Sequence, residues 1–288
     1  MIILNGVPIP KGCFSSGEWM GFIPDNIDQQ KNTIIYQWQG QSELDKVSMI
    51  KLCIDYVAPD AKNTLALWYI ENARLDKDYY EDFHDGKPFL PLNMLTGELV
   101  NRMKFDKVVG VEPHSDEGFR NAYKNAVAEY PTMDSLVEVR RRIGLKEKIQ
   151  IVFPDNGSYN RYRHIIGKRP DLGNYVVIKK ERCNGEVKNV ELEHGELSEK
   201  DKLLIVDDIC SKGSTAVETA RMLQQKRGKR DGIYLLVAYL EETAYDNPNG
   251  ILSKDSPIEK TFVCGPNPFD QIYHEKLDII VYNKYSYD

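Results

Sequence analysis

The stretch that decides the fold is Lys202-Leu-Leu-Ile-Val-Asp-Asp-Ile-Cys-Ser-Lys-Gly-Ser-Thr-Ala216. Its apolar part, Leu203–Val206, predicts a buried strand that ends in two adjacent acids, Asp207 and Asp208. A short loop follows, and the helical pattern of Thr215–Lys226 begins directly after it. Ligands of parallel sheets bind at the carboxyl ends of strands, and a helix N-terminus attracts phosphate. The stretch therefore predicts a site for a phosphorylated ligand.

The polar residues of this stretch are candidate binding residues. Carboxylates at the strand end can hold sugar hydroxyls or a metal ion, while the loop offers backbone N–H groups, hydroxyls and one lysine. The alternative is an ordinary strand–turn–helix whose acids face water. Two acids followed at close spacing by a loop rich in Gly, Ser and Thr favour binding. The candidates are Asp207, Asp208, Ser211, Lys212, Gly213, Ser214 and Thr215.

The rest of the chain alternates strand-like and helix-like segments in two rounds. The first round predicts strands at Thr33–Gln37, Leu65–Ile70 and Lys107–Val111. It predicts helices at Ser42–Tyr56, with Ser42 as N-cap, and at Met94–Met103. The irregular stretch Asn72–Asn93 lies between the second of these strands and the second helix. The second adds strands at Ile149–Phe153, Tyr175–Lys180 and Ile233–Leu240, and a helix at Tyr159–Ile166. This order predicts an α/β protein with mostly parallel sheets and two domains, residues 1–143 and 144–288.

Composition narrows the function classes. The 288 residues carry a net charge of −6, so the whole chain has no attraction for nucleic acid or an anionic membrane surface. Its apolar runs are far shorter than the roughly 18 residues that a membrane span needs. The five cysteines show no C-x-x-C spacing. We therefore expect a cytoplasmic protein that binds neither nucleic acid nor membrane.

The stretch around Asp207 resembles the phosphoribosyl-pyrophosphate (PRPP) motif of type I phosphoribosyltransferases and PRPP synthetases. Five further segments resemble PRPP synthetase (ribose-phosphate diphosphokinase) in the same order: Phe14-Ser-Ser-Gly-Glu18, Asn72-Ala-Arg-Leu-Asp76, Glu112-Pro-His114, Pro154-Asp-Asn-Gly157 and Ile178-Lys-Lys-Glu-Arg182. The resemblance spans about residues 10–240. It implies two tandem type I phosphoribosyltransferase-like domains related by duplication, a site between them, a mobile loop after Lys180 and a homo-oligomer.

The resemblance also implies a reaction, in which the β,γ-pyrophosphate of ATP moves to the C1 hydroxyl of a ribose 5-phosphate moiety and AMP leaves. It implies ATP-binding roles for Phe14, Glu18, Arg74 and His114, and metal-binding roles for His114 and Asp155, with Mg²⁺ as the ion. Lys180 and Arg182 would be catalytic, Asp207 and Asp208 would hold the ribose, and residues 211–215 the phosphate on C5. No G-x-x-x-x-G-K-[ST] element is present, so an ordinary P-loop enzyme is not expected.

The chain departs from the family in the loop that would hold the 5-phosphate. Typical members read close to Asp-Thr-Gly-Gly-Thr, whereas this chain reads Ser211-Lys-Gly-Ser-Thr215, which loses an acid and gains a lysine. The change favours a differently shaped group on C5. It resembles a divergent phage branch that pyrophosphorylates ADP-ribose during NAD rebuilding, which would place the enzyme in host cytoplasm. We therefore expect ADP-ribose as the acceptor. The alternatives are ribose 5-phosphate, a PRPP-consuming phosphoribosyltransferase and a non-catalytic regulatory subunit.

Overall fold

The computed structural model describes residues 1–10, 12, 15–16, 23–38, 42–75, 92–168, 174–183, 186–264 and 274–280. The chain divides into two compact units, Met1–Tyr130 (the first unit) and Pro131–Tyr282 (the second unit). Each unit contains one mostly parallel sheet with helices, so the predicted α/β class is confirmed. Within the described ranges, no helix is long and apolar enough to cross a membrane.

The first unit is built on a six-stranded sheet with the order β2-β1-β3-β4-β5-β6. Strands β3 to β6 are parallel, and β1 pairs antiparallel with both β2 and β3. The elements are β1 Ile2–Leu4, β2 Val7–Pro8, β3 Lys31–Gln37, α1 Leu44–Val57, β4 Lys62–Trp68, α2 Leu92–Arg102, β5 Lys107–Val111, α3 Asp116–Ala122 and β6 Ala126–Glu129.

The second unit is built on a seven-stranded sheet with the order β13-β12-β11-β10-β7-β8-β9, in which only the β8–β9 pair is antiparallel. A short 3₁₀ helix, Glu242–Ala244, follows β11. The elements are α4 Pro131–Asp134, α5 Leu136–Ile143, β7 Ile149–Phe153, α6 Asn156–Ile166, β8 Tyr175–Cys183, β9 Glu186–His194, β10 Lys202–Cys210, α7 Ser214–Arg227, β11 Ile233–Leu240, β12 Lys260–Val263 and β13 Leu277–Ile279.

Three predicted strands are confirmed to the residue, namely Lys107–Val111, Ile149–Phe153 and Ile233–Leu240. Each is a nearly uninterrupted apolar run, which is what a parallel strand covered on both faces needs. The predicted cap Ser42 is wrong, because Glu43 occupies the N-cap position of α1. The Glu43 carboxylate instead accepts hydrogen bonds from the Met1 ammonium at 3.1 Å and from Lys46 Nζ at 2.7 Å.

The boundary between the compact units differs from the predicted domain boundary at residue 143. Residues 131–143, which the prediction assigned to the first domain, contact the second unit. Thr132 Oγ1 lies 3.1 Å from Cys264 Sγ, and Arg142 pairs with Asp278 and donates to the Ile279 carbonyl at 3.1 Å. The basic segment around Arg142 therefore belongs to the packing of the second unit.

The backbone around Lys180 forms a hairpin rather than the expected loop. Strand β8 continues to Cys183, and β9 returns antiparallel beside it, with Lys180 opposite Val190 and Arg182 opposite Val187. Because the antiparallel ladder pairs backbone polar groups of the two strands with each other, a strand is favoured here. Most of the other irregular stretch, residues 76–91, lies outside the described residues.

Candidate functional site

The candidate site of the second unit lies where β7 and β10 end. These strands are parallel neighbours, with Ile205 opposite Val152. Asp155 follows β7, and Asp207 and Asp208 lie near the end of β10, so all three carboxylates come to the same edge of the sheet. Ser158 fixes α6 against this edge, since its hydroxyl donates to the Val206 carbonyl at 2.6 Å. The structure therefore brings Asp155, a predicted metal ligand, to the same sheet edge as the two acids predicted to hold the ribose.

Arg161 is a site residue that the sequence analysis missed. Its side chain is only 4% exposed, and its Nη1 lies 3.0 Å from Asp208 Oδ1 and 3.6 Å from Asp207 Oδ1. The sequence did contain a signal, because α6 buries Ser158, Arg161, Tyr162 and Ile166, a spacing that forms one helical face. An arginine on a buried face requires a buried anion, and here two carboxylates provide it.

The two acids of β10 have different surroundings. Asp208 is 5% exposed at its side chain and forms the closer contact with Arg161, whereas Asp207 keeps 22% of its side chain exposed. Burial raises the pKa of Asp207 well above its usual range, and the charges of Asp208 and Asp155 raise it further, while Arg161 opposes the shift. Asp207 is thus the carboxylate that a ligand can reach. A hydrogen-bond donor on the ligand would stabilise its charged form.

The loop after β10 exposes a helix N-terminus. Gly213 is the N-cap of α7 with φ +77°, so no side-chain cap satisfies the first N–H groups of the helix. A Cβ on Gly213 would lie 2.7 Å from Ile251 Cγ2, so the position requires glycine for both space and backbone conformation. Within the described residues, the N–H groups of Gly213 and Ser214 donate no hydrogen bond, and Lys212 is exposed. This arrangement can bind an anion.

In the first unit, the segments carrying Arg74 and His114 lie at the carboxyl ends of neighbouring strands. Trp68 of β4 is opposite Val111 of β5, so the two segments leave the sheet at the same edge. Arg74 is exposed, and His114 is half-buried. The backbone at this edge is left-handed at non-glycine residues, with φ of 56° at Tyr69, 59° at Asn72 and 50° at Glu112. Such strained positions cluster at functional sites.

Four predicted site residues are not described in full. Phe14 and Glu18 lie outside the described residues. Lys180 and Arg182 are strand positions of β8, and their side chains lie outside the described part of the structure. Strand β8 lies beside β7, and Val177 is opposite Phe153, the last residue of β7. Lys180 comes later on β8, so its backbone lies beyond this end of β7, where Asp155 is also located.

The described side chains do not form a metal centre by themselves. Within that part of the chain, no group of three or more His, Cys, Asp or Glu residues could hold a metal ion. Mg²⁺ is usually bound by one or two carboxylates together with substrate phosphates and water. Asp155 fits such a role partly, since its Oδ1 accepts from the Ser158 N–H at 2.9 Å and its second oxygen is not used in that bond.

Comparisons with known proteins agree with these features. No family model matches the chain. The chain is 26% identical over 211 residues to a ribose-phosphate pyrophosphokinase of Sulfurisphaera tokodaii, covering 72% of this chain and 68% of that protein. It is 24% identical over 220 residues to a ribose-phosphate pyrophosphokinase of Saccharolobus solfataricus, covering 75% and 71%. The chain is therefore similar to ribose-phosphate pyrophosphokinases over about three quarters of its length.

A solved structure agrees on the fold. Phosphoribosylpyrophosphate synthetase from Mycobacterium smegmatis superposes with a TM-score of 0.64 at 17% identity, covering 86% of this chain and 77% of that chain. At this identity the likeness shows the fold alone. The resemblance to ribose-phosphate diphosphokinases and the enzyme class predicted from the sequence, an ATP-dependent pyrophosphokinase, are confirmed by the sequence relatives.

Proposed function

We propose that this enzyme transfers the β,γ-diphosphate of ATP to the C1 hydroxyl of a ribose 5-phosphate moiety. The hydroxyl oxygen bonds to the β-phosphorus, the bond from that phosphorus to the α,β-bridging oxygen breaks, and AMP leaves with that oxygen. The proton of the hydroxyl is released. One observation carries the proposal: on β10 and α7, two adjacent carboxylates, one buried and one partly exposed, and a helix N-terminus without a side-chain cap lie within a few residues of each other.

The acceptor end of the reaction uses residues that the structure describes. Asp207 would accept hydrogen bonds from the ribose hydroxyls, and Arg161 would keep Asp208 and Asp207 in place through its contacts at 3.0 and 3.6 Å. The phosphate on C5 would accept from the Gly213 and Ser214 N–H groups, with the hydroxyls of Ser211, Ser214 and Thr215 around it. This end orients C1 toward ATP, and orientation supplies a large part of a phosphoryl-transfer rate.

The ATP end is assigned through the family resemblance. Phe14, Glu18, Arg74 and His114 would hold the nucleotide. Lys180 and Arg182 would donate hydrogen bonds to the oxygens of the transferred group. These bonds would stabilise the negative charge on those oxygens in the transition state. His114 and Asp155 would hold Mg²⁺, which when bound neutralises charge on the phosphate oxygens. The family resemblance places the Phe14 segment across a subunit boundary, so the proposal includes a homo-oligomer, which sedimentation of the purified protein tests.

The proposed acceptor is ADP-ribose, and one feature of the loop supports it. Lys212 is exposed, makes no ion pair among the described residues, and stands in a loop without any carboxylate. An exposed lysine beside the first phosphate site can meet the second phosphate of a diphosphate ester. Ribose 5-phosphate has no second phosphate, so it would leave Lys212 in water. It remains the second candidate because the described loop fits one phosphate equally well.

An AMP-release assay tests this proposal. Purified protein, ATP and Mg²⁺ are incubated in parallel with ADP-ribose and with ribose 5-phosphate, and products are weighed by mass spectrometry. The expected product is heavier than ADP-ribose by a diphosphate. Formation of PRPP alone would reassign the acceptor, and absence of AMP with both acceptors would contradict the pyrophosphokinase activity on these sugars. A Lys212→Thr variant should lose activity with ADP-ribose selectively, while Lys254→Thr, an exposed lysine elsewhere in the second unit, should not.

A further inference from the structure

The segment between β11 and β12 contacts the loop Ser211–Thr215, which we call the acceptor loop. We propose that Asn247 in this segment is a positioning residue, which fixes the Lys212–Gly213 peptide so that its N–H group faces the phosphate of the acceptor. This inference rests on the proposed function and names a residue that acts through the loop. Asn247 Nδ2 donates to the Lys212 carbonyl at 2.6 Å.

The direction of the peptide follows from its planarity. In a trans peptide unit, the carbonyl and the N–H group point in opposite directions, and no cis peptide occurs in the described residues. A Lys212 carbonyl held toward Asn247 therefore turns the Gly213 N–H away from Asn247. That N–H donates to no described residue, and neither does the next one, of Ser214. Two adjacent free N–H groups at the start of α7 are the donors that a phosphate needs.

Asn247 can hold this position because the chain on both sides of it is buried. Ala244 and Ile251 are fully buried in the core of the second unit. Before Asn247, the Glu241 N–H donates to the Cys210 carbonyl at 2.9 Å. After it, the Ile251 side chain packs directly over Gly213. The segment thus contacts the end of β10 and the acceptor loop at three successive points, and the half-buried Asn247 lies between fixed ends.

The side chain of Asn247 has two separable roles. Its Oδ1 accepts from the Asn249 N–H at 3.1 Å, which stabilises its own turn, whereas its Nδ2 reaches the acceptor loop. A serine can still accept from the N–H two residues on, but it is too short to reach Lys212. Asn247→Ser therefore removes the contact to the loop and keeps the turn. Asn249→Ser is the matched control, because this residue contributes a backbone N–H to the turn and no described side-chain contact to the loop.

Steady-state kinetics test the role of Asn247. In Asn247→Ser, we expect the KM for the acceptor to rise about threefold to tenfold, the effect typical of one net hydrogen bond, with the KM for ATP unchanged. Asn249→Ser should match the wild type in both constants. An acceptor KM that stays within twofold of the wild type, or an equal rise in the KM for ATP, would overturn the inference.

A binding measurement separates this inference from the proposed function. Inorganic phosphate is titrated into wild type and Asn247→Ser while the amide NMR signals of Gly213 and Ser214 are followed. We expect these signals to report phosphate binding in the wild type that is about threefold to tenfold weaker in the variant. This result would stand even if neither acceptor were turned over. Equal phosphate affinity in both proteins would overturn the inference while leaving the AMP-release result unaffected.

Discussion

The two units differ in the kind of energetically unfavourable feature that they contain, which is strained backbone in the first unit and a cluster of charged side chains in the second. In the described residues of the first unit, the left-handed backbone positions are mostly non-glycine: Asn5, Tyr69, Asn72, Lys104, Glu112 and Asn125. In the second unit, the described left-handed positions are all glycine: Gly144, Gly195, Gly213, Gly228 and Gly232. Glycine adopts this conformation without a steric cost, whereas other residues pay about 1 kcal/mol or more.

In the second unit, the energetically unfavourable feature is a cluster of charged side chains that are largely removed from water. Asp207, Asp208 and Arg161 lie together at the end of β10, and the pKa of Asp207 is raised by burial and by neighbouring carboxylates. In the first unit, three of the strained positions, Tyr69, Asn72 and Glu112, lie at the edge that carries Arg74 and His114. The strained backbone of the first unit and the charged cluster of the second both lie at sheet edges where the family resemblance implies substrate binding. The same fold can therefore carry the energetic cost of a binding edge either in its backbone or in its charged side chains.

The largest expected effect concerns Lys180, for which we propose a role at the transferred group. Lys180→Ala should lower kcat by roughly 10²–10³, the range for removing one donor from a developing negative charge. The melting temperature should stay close to that of the wild type. Lys179→Ala, the exposed neighbour on the same strand, is the control and should keep its turnover. Near-normal turnover of the Lys180 variant would refute the catalytic assignment.

The next effect concerns the buried charge itself. Arg161→Leu should lower the free energy of unfolding by about 3–5 kcal/mol, because it removes the guanidinium that forms an ion pair with the buried Asp208. Arg163→Leu, an exposed position on the same helix, should change it by less than about 0.5 kcal/mol. Urea denaturation measures both.

A double variant keeps this test decisive when the single variant does not fold. Adding Asp208→Asn to Arg161→Leu removes the uncompensated charge, so part of the lost stability should return. If the double variant is no more stable than the single one, the ion pair is not the origin of the effect.

The pH dependence of stability tests the raised pKa of Asp207. A carboxyl group whose pKa is raised in the folded state destabilises that state once pH exceeds its unfolded value, 3.8, and the penalty is complete above the folded pKa. Asp207→Asn should therefore unfold at higher denaturant than the wild type at pH 7. The difference should shrink as pH falls and vanish below about pH 3.8. A difference that is constant with pH would contradict the raised pKa.

The smallest effect compares the left-handed positions directly. Lys104 follows α2 with φ 56° and Gly228 follows α7 with φ 62°. Lys104→Gly should stabilise the protein by about 0.5–1 kcal/mol, and Gly228→Ala should destabilise it by about 1 kcal/mol, although a Cβ there would meet nothing within 4 Å. Neither should change kcat. Changes of the same sign in the two variants would remove the contrast between the units.

The sequence was sufficient where a single local pattern decides the structure. Apolar runs predicted three strands to the residue, and the Leu203–Thr215 stretch predicted the strand, loop and helix order of the proposed acceptor site. The strand end was predicted too early, because β10 continues through both acids to Cys210. It was insufficient where a distant contact decides. Arg161 becomes a candidate site residue only through its contact with Asp208, and Asn247 only through its contact with the Lys212 carbonyl. The polar, alternating β9 was missed because its partner β8 determines its conformation.

The most direct test of the central claim is to follow ATP by ³¹P NMR during turnover with ADP-ribose and with ribose 5-phosphate. If the chain transfers a diphosphate, AMP appears in equal amount to a new diphosphate ester on C1, and no ADP accumulates. Accumulation of ADP would show transfer of a single phosphate, and an unchanged ATP spectrum with both acceptors would show no transfer to them. Either result would contradict the account.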